Sequence, residues 1–330
     1  MLFAEGIGLW NLALGLVCFV AGFLLLRRSG SVWAAAGGAR FVEKYLARPG
    51  AAFVVAILAT GLLHSSSAFL ALLVGLSGSG RVPTAAALGA ILGANVGTTT
   101  TAQLASLPTP KMLFILLGLG LFLVGQLYRH VLWLVSRSGR TKAGTASSPA
   151  TFGLLLFGLG LLLLGLEKLG SAARFASWPP LARLLIAAQA SPLAGVLTGT
   201  LVSALIQSST LLVGILMGLV AAGKLGLPGA VAVIVGANVG TTADVLVVAL
   251  GAPAPARRVA VGHLLLNIAG AVLFVIFPGV LVRLVVRQSP QRAVAWSHTL
   301  FNLSGILFWP LLPSMARLLE ILVPDNGKER

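Results

Sequence analysis

The chain has 330 residues, of which 58% are hydrophobic and only 9% are charged, and this excludes a soluble domain because such domains carry about 25% charged residues. The net charge of +16 comes from Lys and Arg residues scattered between apolar runs, which is typical of loops that set membrane orientation and not of a nucleic-acid-binding surface. Several apolar stretches reach the roughly 20 residues that a helix needs to cross a bilayer, so we predict an all-α polytopic membrane protein.

The first half of the chain alternates apolar stretches with short polar ones. In order, we predict a spanning helix over 7–26, an interfacial helix over 31–48, an apolar segment with a polar interruption over 51–76, a broken helix over 83–105 and a span over 111–135. The interrupted segment is either one spanning helix or a re-entrant hairpin whose polar tip lies at mid-depth. The helix over 83–105 is expected to break between Gly93 and Thr101, where Gly, Asn and Thr replace the apolar run.

The second half repeats this plan. We predict a span over 151–170, an interfacial helix over 172–190, an interrupted segment over 193–221, a broken helix over 228–250, a span over 258–282 and an extra helix over 293–316. The expected division is therefore a first repeat over 1–143, a second repeat over 144–286, and a last helix with a short tail over 287–330.

Two polar motifs carry this duplication. His64-Ser65-Ser66-Ser67 is followed, after an apolar run, by Gly-Ala-Asn-Val-Gly-Thr-Thr at 93–99. Gln207-Ser208-Ser209-Thr210 is followed by the same heptapeptide at 236–242. Both motifs recur at an offset of 143 residues without a gap. We interpret the pair as one binding site built from two halves.

The orientation of the repeats depends on the interrupted segments. If these are re-entrant, each repeat crosses the membrane three times, and the odd number inverts the second copy; if they span, the copies are parallel. With the N-terminus outside, most Lys and Arg residues fall in cytoplasmic loops, which favours inversion. Inverted repeats with broken helices are typical of secondary transporters, whose substrate site lies at mid-membrane.

The residue types in the motifs suit an anion and a cation. Half-helix N-termini present free N–H groups and the positive end of a dipole, which favour an anion, and hydroxyl donors surround them at Ser65, Ser66, Ser67, Ser208, Ser209 and Thr210. Oxygen ligands for Na⁺ are expected from freed carbonyls and from Asn95, Thr98, Thr99, Asn238, Thr241 and Thr242. Small and hydroxyl residues also occur where membrane helices pack closely, but two matching copies favour a site.

Ionisable residues narrow the mechanism. Asp244 lies inside a predicted span, so it is either a cation ligand or the structural partner of a helix end or hydroxyl. His64 is either a neutral hydrogen-bonding group or a protonatable anion contact. His263 and His298 each precede an asparagine by four residues, which predicts hydrogen bonds between helices. No metal site, cofactor or nucleophile–base pair is indicated, so we expect a non-enzyme with Na⁺ as coupling ion.

The motifs resemble those of the sodium-dependent phosphate cotransporter family, the type II Na⁺/phosphate symporters and their bacterial relatives. The resemblance covers about residues 50–310 and includes the stretch from Arg258 through His263 to Asn267, and His298 to Asn302. It implies Na⁺-coupled phosphate uptake, with phosphate contacted by both serine motifs including His64 and Gln207. It also implies that the serine motifs contact Na⁺, so the expected Na⁺ ligands are Gln207 together with Asp244 and the Asn and Thr residues named above for their oxygen atoms. His64 stands where the family usually has glutamine.

Other functions stay open at this point. The anion is phosphate, another oxyanion or a carboxylate, since hydroxyls and helix ends do not distinguish them, and an anion channel or a non-transporting scaffold is a further alternative. We expect a multi-pass protein of the cell membrane, as in a bacterial inner membrane, and by analogy with other carriers a homodimer.

Overall fold

A computed structural model of the chain describes residues 2–33, 44–107, 110–135, 149–171 and 179–325. Every regular element in these ranges is a helix, which confirms the all-α prediction. Residues 34–43 of the first predicted interfacial helix, and 172–178 of the second, lie outside the described residues.

The described helices follow one another with short connections. In chain order they are α1 (Leu2–Trp33), α2 (Pro49–Leu63), α3 (Ser66–Gly78), α4 (Thr84–Ser106), α5 (Lys111–Val135), α6 (Pro149–Ser171), α7 (Pro179–Ala190), α8 (Pro192–Ile206), α9 (Ser209–Ala221), α10 (Leu227–Gly240), α11 (Thr242–Val248), α12 (Ala254–Ile276), α13 (Pro278–Val285), α14 (Pro290–Ser304) and α15 (Leu312–Leu322). A 3₁₀ helix over Gly305–Leu311 joins α14 to α15.

Five helical stretches in these ranges are long and apolar enough to cross a membrane. They cover Lys111–Tyr128, Pro149–Leu169, Leu227–Val248, Ala254–Ile276 and Pro290–Leu322. The last two differ from prediction. The span predicted over 258–282 ends at Ile276, because Pro278 removes a backbone donor and begins a new helix. The extra helix predicted over 293–316 is interrupted by the 3₁₀ segment, which contains Pro310.

The chain divides into two compact units. The first comprises Met1–Val42 and Pro108–Leu169, and the second comprises Glu43–Leu107 and Gly170–Arg330. Each unit therefore draws residues from both predicted repeats, since the boundary between the repeats at 143/144 falls inside the first unit.

The first unit is a group of three helices in which α6 packs against both α1 and α5. A Cβ added at Gly22 of α1 would lie 2.6 Å from the carbonyl oxygen of Gly158, and one at Gly118 of α5 would lie 2.8 Å from that of Gly153. Glycine at these positions lets the helix backbones touch, as is usual in membranes. An ion pair of 2.7 Å between Lys111 and Glu167 also joins α5 to α6.

The second unit contains both polar motifs. In each half, the first arm of the interrupted segment packs closely on the helix that carries the heptapeptide: α2 on α4, and α8 on α10. A Cβ added at Gly97 would lie 2.7 Å from the carbonyl oxygen of Ile57 and 2.9 Å from the Cβ of Thr60. In the second half, a Cβ added at Gly240 would lie 2.9 Å from the Cβ of Ser203.

The predicted break in the first motif helix is wrong, because α4 runs without interruption from Thr84 to Ser106. The glycines that suggested a break instead face α2 and allow it to approach. The threonine hydroxyls add to the helix's own hydrogen bonds, since Thr98 donates to the carbonyl of Asn95 at 2.7 Å. Small residues here serve close packing, which was the alternative interpretation of this motif.

The second motif helix shows only a small irregularity. α10 ends at Gly240 and α11 begins at Thr242, so a single residue, Thr241, separates them. The backbone N–H of Thr241 still donates to the carbonyl of Ala237 at 3.0 Å, as in an α-helix. The break predicted for the second half is therefore present as a one-residue interruption at Thr241.

The polar interruptions at 64–67 and 207–210 are confirmed as helix ends. His64 (φ 49°, ψ 28°) and Gln207 (φ 58°, ψ 25°) have left-handed backbones, and they are the only non-glycine residues with positive φ in the described ranges. α2 has 15 residues and spans about 22 Å, less than the hydrocarbon thickness of about 30 Å. This length suits a re-entrant arm, while re-entry and the inversion of the repeats stay predictions.

Candidate functional site

The two tips, defined as residues 64–67 and 207–210, have the same local structure. After the left-handed residue, an extended serine caps the next helix: Ser65 Oγ accepts from the N–H of Ala68 at 3.3 Å, and Ser208 Oγ accepts from the N–H of Leu211 at 3.2 Å. The remaining first-turn N–H groups of α3 and α9 have no partner within the helix. Each tip therefore presents N–H and O–H donors, which suit an anion.

The left-handed residue at each tip costs about 1–2 kcal/mol relative to a right-handed one. Both halves retain this conformation in a residue with a large polar side chain, His64 in one and Gln207 in the other. Unfavourable backbone conformations of this kind cluster at binding sites, where the surrounding structure maintains them.

The side chains at these two positions have different partners. His64 Nδ1 lies 2.7 Å from Thr101 Oγ1, so the first tip is joined to its own motif helix. Gln207 is exposed, and its amide donates to the carbonyl of Ala204 at 2.8 Å within its own helix. Thr101 was not among the predicted site residues, although it occupies the position equivalent to Asp244.

Asp244 connects the two halves. Its Oδ2 accepts a hydrogen bond from the hydroxyl of Ser67, and its Oδ1 accepts from the N–H of Val245 at 2.6 Å. The first tip thus meets α11 of the second half. In the other direction, α9 packs near the C-terminal part of α4, where Ala102 shares a buried cluster with Leu212. Each half therefore contributes the helix after its tip to the motif helix of the other half.

The motif asparagines are both buried and both have their amide nitrogen engaged. Asn95 Nδ2 donates to Asn267 Oδ1 at 2.9 Å, whereas Asn238 Nδ2 donates to the carbonyl of Ile234 at 2.8 Å. The sequence singled out Asn267 by its spacing from His263 and by the family resemblance. Its contact with Asn95 was missed, because it spans 172 residues and no spacing rule predicts it.

The motif threonines all donate to carbonyls of their own helices, three residues earlier. Thr99 donates to Val96, Thr241 to Asn238 and Thr242 to Val239, at 2.8, 3.0 and 2.7 Å respectively. A hydroxyl that donates in this way keeps its oxygen lone pairs as possible cation ligands. The structure therefore leaves these threonines compatible with the predicted role.

The remaining predicted residues lie in the first turns of α3 and α9. Ser209 is buried, and Ser66 and Thr210 are half-buried. Two further hydroxyls near the site were missed: Thr60 and Ser203, 143 residues apart, are buried and have no hydrogen-bond partner among the described residues. They lie within apolar runs, so no sequence signal singled them out.

The histidines of α12 and α14 differ from prediction. Both ring nitrogens of His298 and the Nδ1 of His263 are buried without a hydrogen-bond partner in the described part of the chain. The predicted bond between helices is therefore wrong for His298. No group of three or more His, Cys, Asp or Glu residues suited to a metal ion occurs in the described ranges.

Comparison with known proteins gives the family. The model of the Na⁺/Pi-cotransporter family matches residues 18–171 and again residues 161–311, two matches that begin 143 residues apart. The chain belongs to the Na⁺/Pi-cotransporter family. It is accordingly a multi-pass membrane protein of a transporter family, and the double match agrees with the internal duplication seen in the motifs.

Two bacterial proteins are similar to this chain over most of its length. "Uncharacterized protein YqeW" of Bacillus subtilis (strain 168) is 28% identical over 265 residues, which cover 78% of this chain and 79% of YqeW. "Putative inorganic phosphate export protein YjbB" of Escherichia coli (strain K12) is 29% identical over 227 residues, which cover 68% of this chain but only 39% of YjbB. No solved structure matches the chain.

Proposed function

We propose that this chain is a secondary active transporter that couples inorganic phosphate to Na⁺ and carries both into the cell. The observation that carries the proposal is the interlocking of the halves: Ser67 of the first tip donates to Asp244 of the second motif helix. This contact supports the proposal, because the first tip has other hydroxyl and N–H donors suited to an anion and touches a carboxylate suited to a cation. Family membership supports phosphate as the substrate.

Phosphate is bound in this proposal by the donors of the two tips. The contacting residues are His64, Ser65, Ser66, Ser67, Gln207, Ser208, Ser209 and Thr210. The N-termini of α3 and α9 add the positive ends of their dipoles, which stabilise a nearby anion. These hydroxyl and backbone N–H donors carry no fixed positive charge. The negative charge of the bound phosphate is therefore neutralised by the accompanying cations.

Sodium is bound in this proposal by Asp244 and by polar residues of both motifs. The ligands are Asn95, Thr98, Thr99, Gln207, Asn238, Thr241, Thr242 and Asp244. Moving one charge across the membrane changes the free energy by about 2.3 kcal/mol per 100 mV, so importing a divalent phosphate costs about twice that. Two Na⁺ cancel this electrical cost and a third adds driving force. We therefore expect at least two Na⁺ per phosphate and a Hill coefficient for Na⁺ above one.

The name of YjbB favours a second candidate, phosphate export. A symporter runs in the direction set by the combined gradients, so an inward Na⁺ gradient drives import through a Na⁺-coupled carrier. Export against a phosphate gradient requires another source of energy. The direction of the Na⁺-driven flux therefore separates the two candidates.

The test uses purified protein in liposomes loaded with K⁺. We expect uptake of radiolabelled phosphate only when external Na⁺ creates an inward gradient, and efflux from preloaded vesicles when the gradient is reversed. Equal uptake in choline and in Na⁺ would contradict coupling and favour a channel. Competition by sulfate or a dicarboxylate that matches unlabelled phosphate would show that the carrier takes a different anion.

A further inference from the structure

Two helices of the second unit carry the same buried pair of residues. α12 has His263 and Asn267, and α14 has His298 and Asn302; in each pair the asparagine follows one helical turn after the histidine and so lies on the same face. All four side chains are at most 4% exposed. Buried polar groups normally have hydrogen-bond partners, so residues that stay buried without them call for an explanation.

Asn267 has a partner that lies in the candidate site. It accepts the hydrogen bond from the amide nitrogen of Asn95, the asparagine of the first heptapeptide, at 2.9 Å. This bond fixes the orientation of the Asn95 amide, because the nitrogen points at Asn267 and the oxygen points away from it. The orientation matters for a cation, since the amide oxygen is a ligand whereas the amide N–H groups repel positive charge.

α14 contacts the motif helices of both halves. α12 packs on α3 and α4, and α14 packs on α9 and α10 as well as on α4. Ala295 of α14 shares a buried cluster with Leu212 of α9 and Ala237 of α10. Phe301, the residue before Asn302, shares another with Val235 of α10. On the other side, Gln103 of α4 donates to Thr299, and a Cβ added at Gly305 would lie 3.0 Å from Leu92 of α4, so α14 lies between the two motif helices.

The amide of Asn302 nevertheless has no hydrogen-bond partner among the described residues. Both atoms of its amide are buried without a hydrogen bond in the described ranges. The second motif asparagine, Asn238, instead donates to the carbonyl of Ile234 in its own helix. A buried amide that can donate and accept therefore lies on a helix that packs against both motif helices.

We propose that Asn267 and Asn302 are positioning residues for the coupling cations. Asn267 holds the amide of Asn95 with its oxygen toward the first cation. Asn302 supplies a second buried amide, on a helix that packs against both motif helices, for a motif asparagine that reorients when a cation binds. This inference rests on the proposed function, since it assigns the two residues to its Na⁺ sites.

The experiment measures the Na⁺ concentration that gives half-maximal phosphate uptake, together with the phosphate KM at saturating Na⁺. Leucine matches asparagine in size but offers no acceptor. We expect Asn267→Leu and Asn302→Leu each to raise the half-maximal Na⁺ concentration at least fivefold while the phosphate KM changes less than twofold. Ser297→Ala is the matched control: Ser297 is buried on α14 and bonds only the carbonyl of Ala293, at 2.7 Å.

A double-mutant cycle distinguishes positioning from general loss of structure. If Asn267 acts through Asn95, adding Asn267→Leu to Asn95→Ala causes no further rise in the half-maximal Na⁺ concentration. Asn267→Ser, which keeps a shorter acceptor, gives an intermediate value and replaces Asn267→Leu if that variant does not fold. Unchanged Na⁺ dependence in the single variants, or additive effects in the cycle, would overturn the inference. Na⁺-independent uptake by the unaltered protein would instead overturn the proposed function.

Discussion

The close packing of α2 on α4 predicts that the motif glycine Gly97 does not tolerate a methyl group. A Cβ there would lie 2.7 Å from the Ile57 carbonyl oxygen and 2.9 Å from the Thr60 Cβ, against ordinary contacts of about 3.3 Å for C···O and about 3.5–4.0 Å for C···C. The added Cβ would therefore overlap each of these two atoms by about 0.6 Å. Both atoms are held by the backbone of α2, so the helices must separate.

The expected size of the effect follows from two opposing terms. Overpacking of a tight interface typically costs about 1–3 kcal/mol, whereas replacing glycine by alanine inside a helix gains up to about 1 kcal/mol. Gly97→Ala should therefore lower the free energy of unfolding by about 1–2 kcal/mol. The equivalent Gly240→Ala should cost at least as much, since its Cβ would lie 2.3 Å from the carbonyl oxygen of Thr200.

The control is Gly75→Ala on α3, where an added Cβ meets nothing within 4 Å. This variant should be as stable as the unaltered protein or more stable. The assay is SDS-induced and thermal unfolding of the purified protein in mixed micelles, with phosphate uptake measured in parallel. If Gly97→Ala were as stable as Gly75→Ala, the glycines would not be packing residues and the reasoning about α4 would fail.

Two further substitutions probe the site itself. Asp244→Asn removes the carboxylate that accepts a hydrogen bond from Ser67, so phosphate uptake should then need at least fivefold more Na⁺. The control is Asp325→Asn, at an exposed position. An unchanged Na⁺ requirement in Asp244→Asn would show that Asp244 is only structural. His64→Ala removes the 2.7 Å contact with Thr101 and should lower phosphate uptake severalfold. His64→Gln should restore part of the lost uptake, because glutamine offers a neutral hydrogen-bond donor, as Gln207 does in the other half. Equal uptake by the two His64 variants would contradict a hydrogen-bonding role.

Much of the fold follows from sequence alone because apolar length determines membrane helices. The helix predicted over 111–135 has those bounds in the structure, and the polar clusters at 64–67 and 207–210 both end helices. The predicted break in the first motif helix failed for a physical reason. Glycine favours both irregular backbone and close helix contact, and only the position of the neighbouring helix shows which effect applies at Gly97.

The candidate site was only partly predictable. The duplicated motifs single out the tips and the motif asparagines and threonines, since two copies at one offset exclude coincidence. The pairing of Ser67 with Asp244, and of Asn95 with Asn267, joins residues that lie 177 and 172 positions apart. No local pattern encodes such contacts, because they arise from how the second half packs on the first. The roles of the site residues and a homodimer stay predictions.

The most direct test of one phosphate site built from two halves is equilibrium binding of radiolabelled phosphate to the purified protein at saturating Na⁺. We predict one phosphate per chain, with affinity at least fivefold weaker in Ser66→Ala and in Ser209→Ala, one variant for each tip. Ser191→Ala, which removes a helix cap at α8 and costs about 1 kcal/mol of stability, should keep full affinity. Two phosphates per chain, or full affinity in either tip variant, would contradict the account.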